Sequence, residues 1–376
     1  MELFKASQQW STRPKDEIFS TIEDGYLAAK QYASTATEKS DVSPSTLRVE
    51  AIDGDVQLIG RGNVPAKLTN WAFGQVSNLV GAPASYLRKL PATLAAQNVN
   101  FGLANKYGTS SKPTSDDTRV NLLVHSNGSL LVRAFNSDRY SRIWNWELLE
   151  RMRDFHLYGW TNPTPFATTA SAHGAGLGDP TIYVSDHDMF VFQVNNDNRI
   201  SEPGNPDGLG RGFFVENSEV GAAKLRVTTF LYRYMCSNHI VWGAKDVKEI
   251  SVRHVGNAHD RVMYQFDALK VELKKYANSS ASELEGQIAK AKSFVLASGR
   301  KDELLDSIFA KLRGSVTRTA LEAGYDMASQ HQLTDGAPNT AWGLAQGLTR
   351  YSQTLQYADA RVEVDRAAGK LVEMAF

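Results

Sequence analysis

The clearest pattern of hydrophobic and polar positions lies in residues 224–235, near the middle of the chain. β-Branched and aromatic residues are frequent there, and side chains on a strand alternate between its two faces. The pattern therefore predicts one long strand. One face is apolar apart from Arg233 and carries Leu225, Val227, Thr229, Leu231 and Met235. The other face carries Lys224, Arg226, Thr228, Phe230, Tyr232 and Tyr234.

Hairpins and helices divide the remainder of the chain. Alternating segments flank Asp53-Gly54 and Asn127-Gly128, two dipeptides typical of tight hairpin turns. Helical periodicity prevails after Asn257. We predict an α+β fold with a central antiparallel, hairpin-built sheet, surrounding helices and a mostly helical C-terminal region. The predicted regions are a helical and hairpin region at 1–110, a sheet core at 111–259 and a helical region at 260–376.

The second face of the predicted strand interleaves cations with aromatic rings, a combination that suits single-stranded nucleic acid. In this interpretation Lys224 and Arg226 hold phosphates, and Arg233 pairs internally or reaches a phosphate. The residues expected to stack on bases are Phe230, Tyr232 and Tyr234. The alternative is a face covered by helices, in which the rings are ordinary core and the cationic stems extend to solvent.

A second candidate DNA contact lies in residues 68–90. The segment reads as two short helices with a break at Gly81, and Ser77, Gly81 and Leu87 have the spacing of a helix-turn-helix. In that arrangement the residues facing DNA would be Ser85, Arg88 and Lys89. The alternative is a packing corner between helices that contacts no nucleic acid.

Cysteine and histidine also occur with spacing that zinc sites use. Cys236 and His239 form one pair, and His254 and His259 form another. Thiolate and imidazole are the ligands that zinc prefers. Against zinc, the set has only one sulfur ligand, and a lone cysteine is more often a small buried hydrophobe. The acids Asp179, Asp186, Asp188 and Asp197 are assigned to turns rather than to a metal site.

Composition narrows the classes of function. The chain has 376 residues with 41 basic and 41 acidic side chains, so any contact with nucleic acid must come from a local patch. A single cysteine is typical of a reducing cytoplasm, and no apolar segment is long enough to cross a membrane. No phosphate-binding loop or hydrolase motif is found. We therefore favour a binding protein over an enzyme.

Several segments together resemble a phage- and plasmid-associated family whose domain has no known function. The segments are QWSTRP (9–14), GAPASYLRKLPATLAAQNVNFGL (81–103), SDRYSRIWNWELLERM (137–152), ENSEVGAAKLRV (216–227), YRYMCSNHI (232–240), VRHVGNAHDR (252–261) and NTAWGLAQGLTRY (339–351). The positions that look like the family's recurrent polar residues are Arg233, Cys236, Ser237, Asn238 and His254. The resemblance implies a mobile-element protein of the bacterial cytoplasm.

These observations support one main hypothesis and two alternatives. The main hypothesis is a phage or prophage protein that binds or anneals single-stranded DNA in replication or recombination, without a cofactor. Self-association is a further expectation. The first alternative is a metal-dependent enzyme acting on nucleic acid or nucleotides through Cys236, His239, His254 and nearby acidic residues. The second is an interaction protein that modulates a host system.

Overall fold

A computed structural model describes residues 17–114, 117–161, 182–233, 238–240, 250–312, 314–355 and 358–376. It confirms the predicted α+β class. The strands are β1 (Ile18–Phe19), β2 (Ala36–Val42), β3 (Val49–Ile52), β4 (Asp55–Ile59), β5 (Pro65–Leu68), β6 (Gly108–Thr109), β7 (Lys112–Pro113), β8 (Val120–Asn127), β9 (Ser129–Ser137), β10 (Trp160–Thr161), β11 (Ile182–Val184), β12 (Met189–Glu202), β13 (Asn205–Asn217), β14 (Leu225–Arg233), β15 (Asn238–Ile240) and β16 (Ile250–Val252). The helices are α1 (Ile22–Ser34), α2 (Asn70–Leu79), α3 (Ala84–Leu87), α4 (Ala92–Tyr107), α5 (Asn145–Met152), α6 (Ala258–Asn278), α7 (Ala281–Ser293), α8 (Lys301–Leu312), α9 (Arg318–Gln330), α10 (Gln332–Asp335), α11 (Ala341–Thr354) and α12 (Ala358–Glu373).

The N-terminal part forms a six-stranded sheet in the order β2-β8-β9-β5-β4-β3. Only β5 and β9 are parallel, and the other neighbours are antiparallel. Helix α2 begins where the Thr69 hydroxyl accepts a hydrogen bond from the Ala72 amide, as a capping threonine does. The apolar sides of α2 and α4 pack on this sheet through Phe73, Val76 and Val99.

The β8–β9 hairpin belongs to this N-terminal sheet. Its turn at Asn127-Gly128 has the predicted position, with Gly128 at a φ of 71°. The hairpin joins β2 on one side and β5 on the other, both of which precede residue 110. The sequence division at residue 110 therefore runs through one continuous sheet.

A second, eight-stranded sheet has the order β1-β11-β12-β13-β14-β15, with β10 on β12 and β16 on β14. Helices α1, α5 and α6 cover one face through residues such as Tyr26, Met152 and Phe266. Strand β14 alternates as predicted, since Leu225 and Val227 join this core while Phe230 lies in an aromatic cluster on the opposite face.

The C-terminal helices α7 to α12 surround a separate apolar core. Trp342 is fully buried there, and its indole nitrogen donates to the buried carboxylate of Glu202 at 3.0 Å. Glu202 ends β12, so this bond connects the helices to the far end of the eight-stranded sheet. The predicted helical C-terminal region is confirmed.

Candidate nucleic-acid interface

The turn between β13 and β14 is buried between the two large sheets. Ser218 and Val220 are fully buried and Glu219 is 3% exposed. The carbonyl of Val220 accepts hydrogen bonds from Trp71, Gln75 and Asn136, at 2.8–3.3 Å. Because all three donors come from the N-terminal sheet or its helix α2, this turn binds one sheet to the other.

Glu219 supplies the charge at this boundary. One carboxylate oxygen accepts from Arg133 at 2.8 Å, and the other accepts from the Asn145 amide at the start of α5 at 2.9 Å. The guanidinium of Arg133 also contacts His125 at 3.1 Å and the Asp186 carbonyl at 2.8 Å. Both charges are thus buried with partners, as buried ions require.

His125 is held neutral by this environment. Burial, followed by the nearby charges of Arg133 and Arg142, lowers the pKa of its imidazole to about 3. Its Nδ1 lies 2.9 Å from the Thr35 hydroxyl, and its ring stacks on Tyr32. A neutral ring at this position can accept a hydrogen bond from Arg133, which a charged ring could not.

Three chain segments meet beside this turn. Tyr140 forms an isolated bridge with Val255, and its hydroxyl donates to the Ser218 carbonyl at 2.9 Å. The ring of Tyr140 stacks on His254 with 5.4 Å between centroids. The amide of Gly256 donates to the Arg139 carbonyl at 3.0 Å. The loop after β9, the β13–β14 turn and the segment after β16 therefore form one ordered corner.

Four cations are exposed on this corner: Arg139, Lys224, Arg253 and Arg261. Leu225 pairs with Val252, which puts Lys224 opposite Arg253 in the same register. Among the residues that the structure describes, no carboxylate pairs with any of the four. Arg261 instead donates to the carbonyl of Asn257, the residue that precedes its own helix. We call these four residues the basic corner.

Two histidines lie near the basic corner in different states. Burial lowers the pKa of His254 to about 4, although the Ser141 carbonyl acts in the opposite direction. Its Nε2 is buried and has no hydrogen-bond partner in the described part of the chain. For His259, hydrogen bonds to Glu147 and Asp260 outweigh the effect of burial, and its pKa is raised.

The predicted basic and aromatic strand face is corrected in part. Lys224 is exposed as expected. Arg226 forms an ion pair of 3.4 Å with Glu216 on the neighbouring strand, and Phe230 is 1% exposed within an aromatic cluster. The ring of Phe230 is therefore core and cannot stack on a base. Tyr232 and Arg233 lie in β14, and only their backbone is described. Tyr234 lies outside the described residues.

The helix-turn-helix expectation does not fit the structure. Helix α3 contains only Ala84–Leu87, a single turn that is too short to read a major groove. Ser85 and Lys89 are exposed, but Arg88 is half-buried and donates to the Asn70 carbonyl at 2.9 Å. The unit packs on the N-terminal sheet through Phe73, Val76 and Leu87.

The proposed zinc ligands do not form a visible site. Cys236 lies outside the described residues, and only the backbone of His239 is described. His254 and His259 bind Ser141 and Glu147, respectively. In the part of the chain that the structure covers, no three histidine, cysteine or acidic residues are grouped to hold a metal.

Sequence reasoning missed Arg139, Arg253 and Arg261. Each lies within a segment that carries the family resemblance, namely SDRY or VRHVGNAHDR. Those segments are far apart in sequence, and only the fold brings them to Lys224. One signal for them was available in the sequence. In both segments an arginine directly precedes a ring, as Arg139 precedes Tyr140 and Arg253 precedes His254.

The residues of the basic corner fall inside a recognised domain. A family model described as a domain of unknown function, DUF932, matches residues 136–370. The chain therefore belongs to the DUF932 family. Comparisons with curated proteins and with solved structures found no match. Across the described residues, no helix is both long and apolar enough to span a membrane.

Proposed function

We propose that the protein binds single-stranded DNA and that the basic corner holds its phosphates. The observation that carries this proposal is the set of four exposed cations without carboxylate partners among the described residues. Arginine and lysine at exposed positions supply most of the affinity of proteins for nucleic acids, through phosphate contacts. Lys224 belongs both to the basic corner and to the strand face that the sequence predicts to bind nucleic acid.

The contacts that hold the backbone of the basic corner also support a binding role. Buried contacts of Tyr140 and the β13–β14 turn hold the backbone that carries Arg139 and Lys224. A preorganised cationic surface loses less conformational freedom when it binds a ligand. The chain has equal numbers of acidic and basic residues, so this local excess is not a consequence of overall charge.

Single strands fit the corner better than a duplex does. Val255 is 45% exposed between the cations, and Tyr140 is half-buried beside it. An unpaired base can cover such apolar surface while its phosphates contact the arginines. A duplex presents mainly its phosphates and would leave that surface uncovered. A role in the replication or recombination of a phage or plasmid accords with this binding.

The test measures binding of labelled oligothymidine and of duplex DNA to the purified full-length protein. We expect salt-sensitive binding of oligothymidine that falls at least about tenfold in Arg139→Ala/Lys224→Ala/Arg253→Ala. The matched control is Lys39→Ala/Lys112→Ala/Lys290→Ala, which removes the same charge from exposed sites elsewhere. Equal loss in both variants, or no binding by the wild type, would overturn the proposal.

A further inference from the structure

An apolar groove lies on the N-terminal sheet. It is formed where β4 and β5 meet the α2–α4 region. Its cavity has a volume of about 90 Å³. The apolar walls are Val56, Leu68, Phe73, Leu87 and Leu90. We call this feature the N-terminal groove.

Two cations border the N-terminal groove. Lys67 is exposed on β5, and Arg88 follows α3. Arg88 lies over the ring of Phe73 at 5.4 Å and donates one hydrogen bond to Asn70, but its buried Nε has no partner among the described residues. Within the structure as described, neither cation pairs with a carboxylate. A guanidinium with free donors beside an apolar cavity favours a ligand that carries both a carboxylate and an apolar group.

Acidic residues are scarce around the groove. Residues 56–115 contain no aspartate or glutamate, although the whole chain contains 41. Asp55, at one end of the groove, is the acid that lines it. Exposed apolar side chains extend the surface, with Tyr86 57% and Leu94 47% exposed on the flanking helices. This surface is therefore cationic and apolar together.

We propose that the N-terminal groove binds an acidic protein segment, with one branched aliphatic side chain in the cavity and flanking carboxylates on Lys67 and Arg88. The cavity corresponds to roughly three water molecules in volume, which suits one such side chain. Charge complementarity selects the acidic flanks, because Lys67 and Arg88 border the cavity and Asp55 is the one acid among its described lining residues.

A nucleic acid fits this groove less well than a peptide does. The ring of Phe73 is 5% exposed and covered by the Arg88 guanidinium, so it offers no face to a base. A planar base also needs more room than the narrow cavity provides. The lining of the groove shares no residue with the basic corner, so the two proposals can be tested separately.

The experiment titrates the full-length protein with a fluorescein-labelled peptide that has one leucine between two pairs of glutamates. Ala92→Trp fills the groove without changing its charge, and Lys67→Glu reverses the charge of its rim. We expect each variant to weaken peptide binding about tenfold or more. Ala104→Trp, at an exposed site on the same helix, is the matched control and should bind as the wild type does.

Three results would overturn the proposal. The first is no binding at about 1 mM peptide. The second is equal binding of a peptide in which serine replaces the leucine. The third is displacement of the peptide by oligothymidine, together with loss of oligothymidine binding in Ala92→Trp. If Ala92→Trp keeps its oligothymidine binding and its circular dichroism but loses the peptide, the groove and the basic corner are separate sites.

Discussion

The buried guanidinium of Arg133 donates a hydrogen bond of 2.8 Å to the carboxylate of Glu219, across the boundary between the two large sheets. Their side chains are 0% and 3% exposed. The pair is completed by neutral His125 and by the amide of Asn145. Removing one member would leave the other charge buried and unpaired, which costs far more than the pair itself contributes.

Glu219→Leu is therefore expected to lower the free energy of unfolding by about 3–5 kcal/mol, because Arg133 stays buried without its carboxylate. Urea denaturation at neutral pH measures the change. The double variant Arg133→Met/Glu219→Leu should recover part of that loss, since it buries no charge. A single variant within about 1 kcal/mol of wild type would show that solvent reaches the pair.

The two buried histidines should make stability depend on pH in one direction. The folded pKa values are about 3 for His125 and about 4 for His254, below the usual imidazole value. The unfolded chain therefore binds more protons, and stability falls as pH drops below about 6.5. Between about pH 7.5 and 5.5 each histidine should remove about 1.4 kcal/mol.

His125→Gln/His254→Gln should flatten this dependence, measured by denaturation at each pH. His259 has a raised pKa and acts in the opposite sense, adding stability as pH falls. It is present in both proteins, so its effect cancels in the comparison. Parallel pH profiles for the wild type and the double variant would refute the assignment of the buried neutral state.

Gly212 makes room for the ring of Phe230 on the neighbouring strand. The two residues are partners in the β13–β14 register, and a Cβ on Gly212 would overlap the ring. Gly212→Ala should cost about 1–3 kcal/mol of unfolding free energy, as overpacking does. Gly212→Ala/Phe230→Leu should lose less than the sum of the single changes. Strict additivity in urea denaturation would show that the ring moves away freely.

Salt dependence tests whether the basic corner contacts phosphates, and how many it contacts. For single strands, the logarithm of affinity falls with the logarithm of salt by about 0.7 per phosphate contact. Removing Arg139, Lys224 and Arg253 should therefore reduce that slope by about 2. Titrations between about 50 and 200 mM salt measure it. An unchanged slope with weaker binding would mean that these residues act through structure and not through phosphates.

Local patterns predicted the elements and failed where distant segments meet. The alternation of β14 and the turn at Asn127-Gly128 follow from side-chain direction and turn chemistry, and both are present. The burial of Phe230 depends on what packs against its face, which alternation along one strand does not reveal. The partner of Arg226 depends on the register of β14 with β13, which places Glu216 opposite it.

Of the four residues of the basic corner, the sequence predicted only Lys224. Arg139, Arg253 and Arg261 come from two other segments, and hydrogen bonds between backbones bring those segments together. The histidine spacing that predicts zinc has a different local cause for His259, which lies in the first turn of α6 and binds Glu147. Arg88 looked like a DNA contact because its burial against Phe73 is not visible in the sequence.

The buried β13–β14 turn also has a consequence during synthesis. Glu219 follows Arg133 by 86 residues, so it leaves the ribosome roughly 4–17 s later at typical elongation rates of about 5–20 residues per second. During that interval the six strands of the N-terminal sheet have already been synthesised. Arg133 and the donors to Val220 do not yet have their partners in the turn. Until the turn has been synthesised, this surface of the nascent chain is open to contact with other polypeptides.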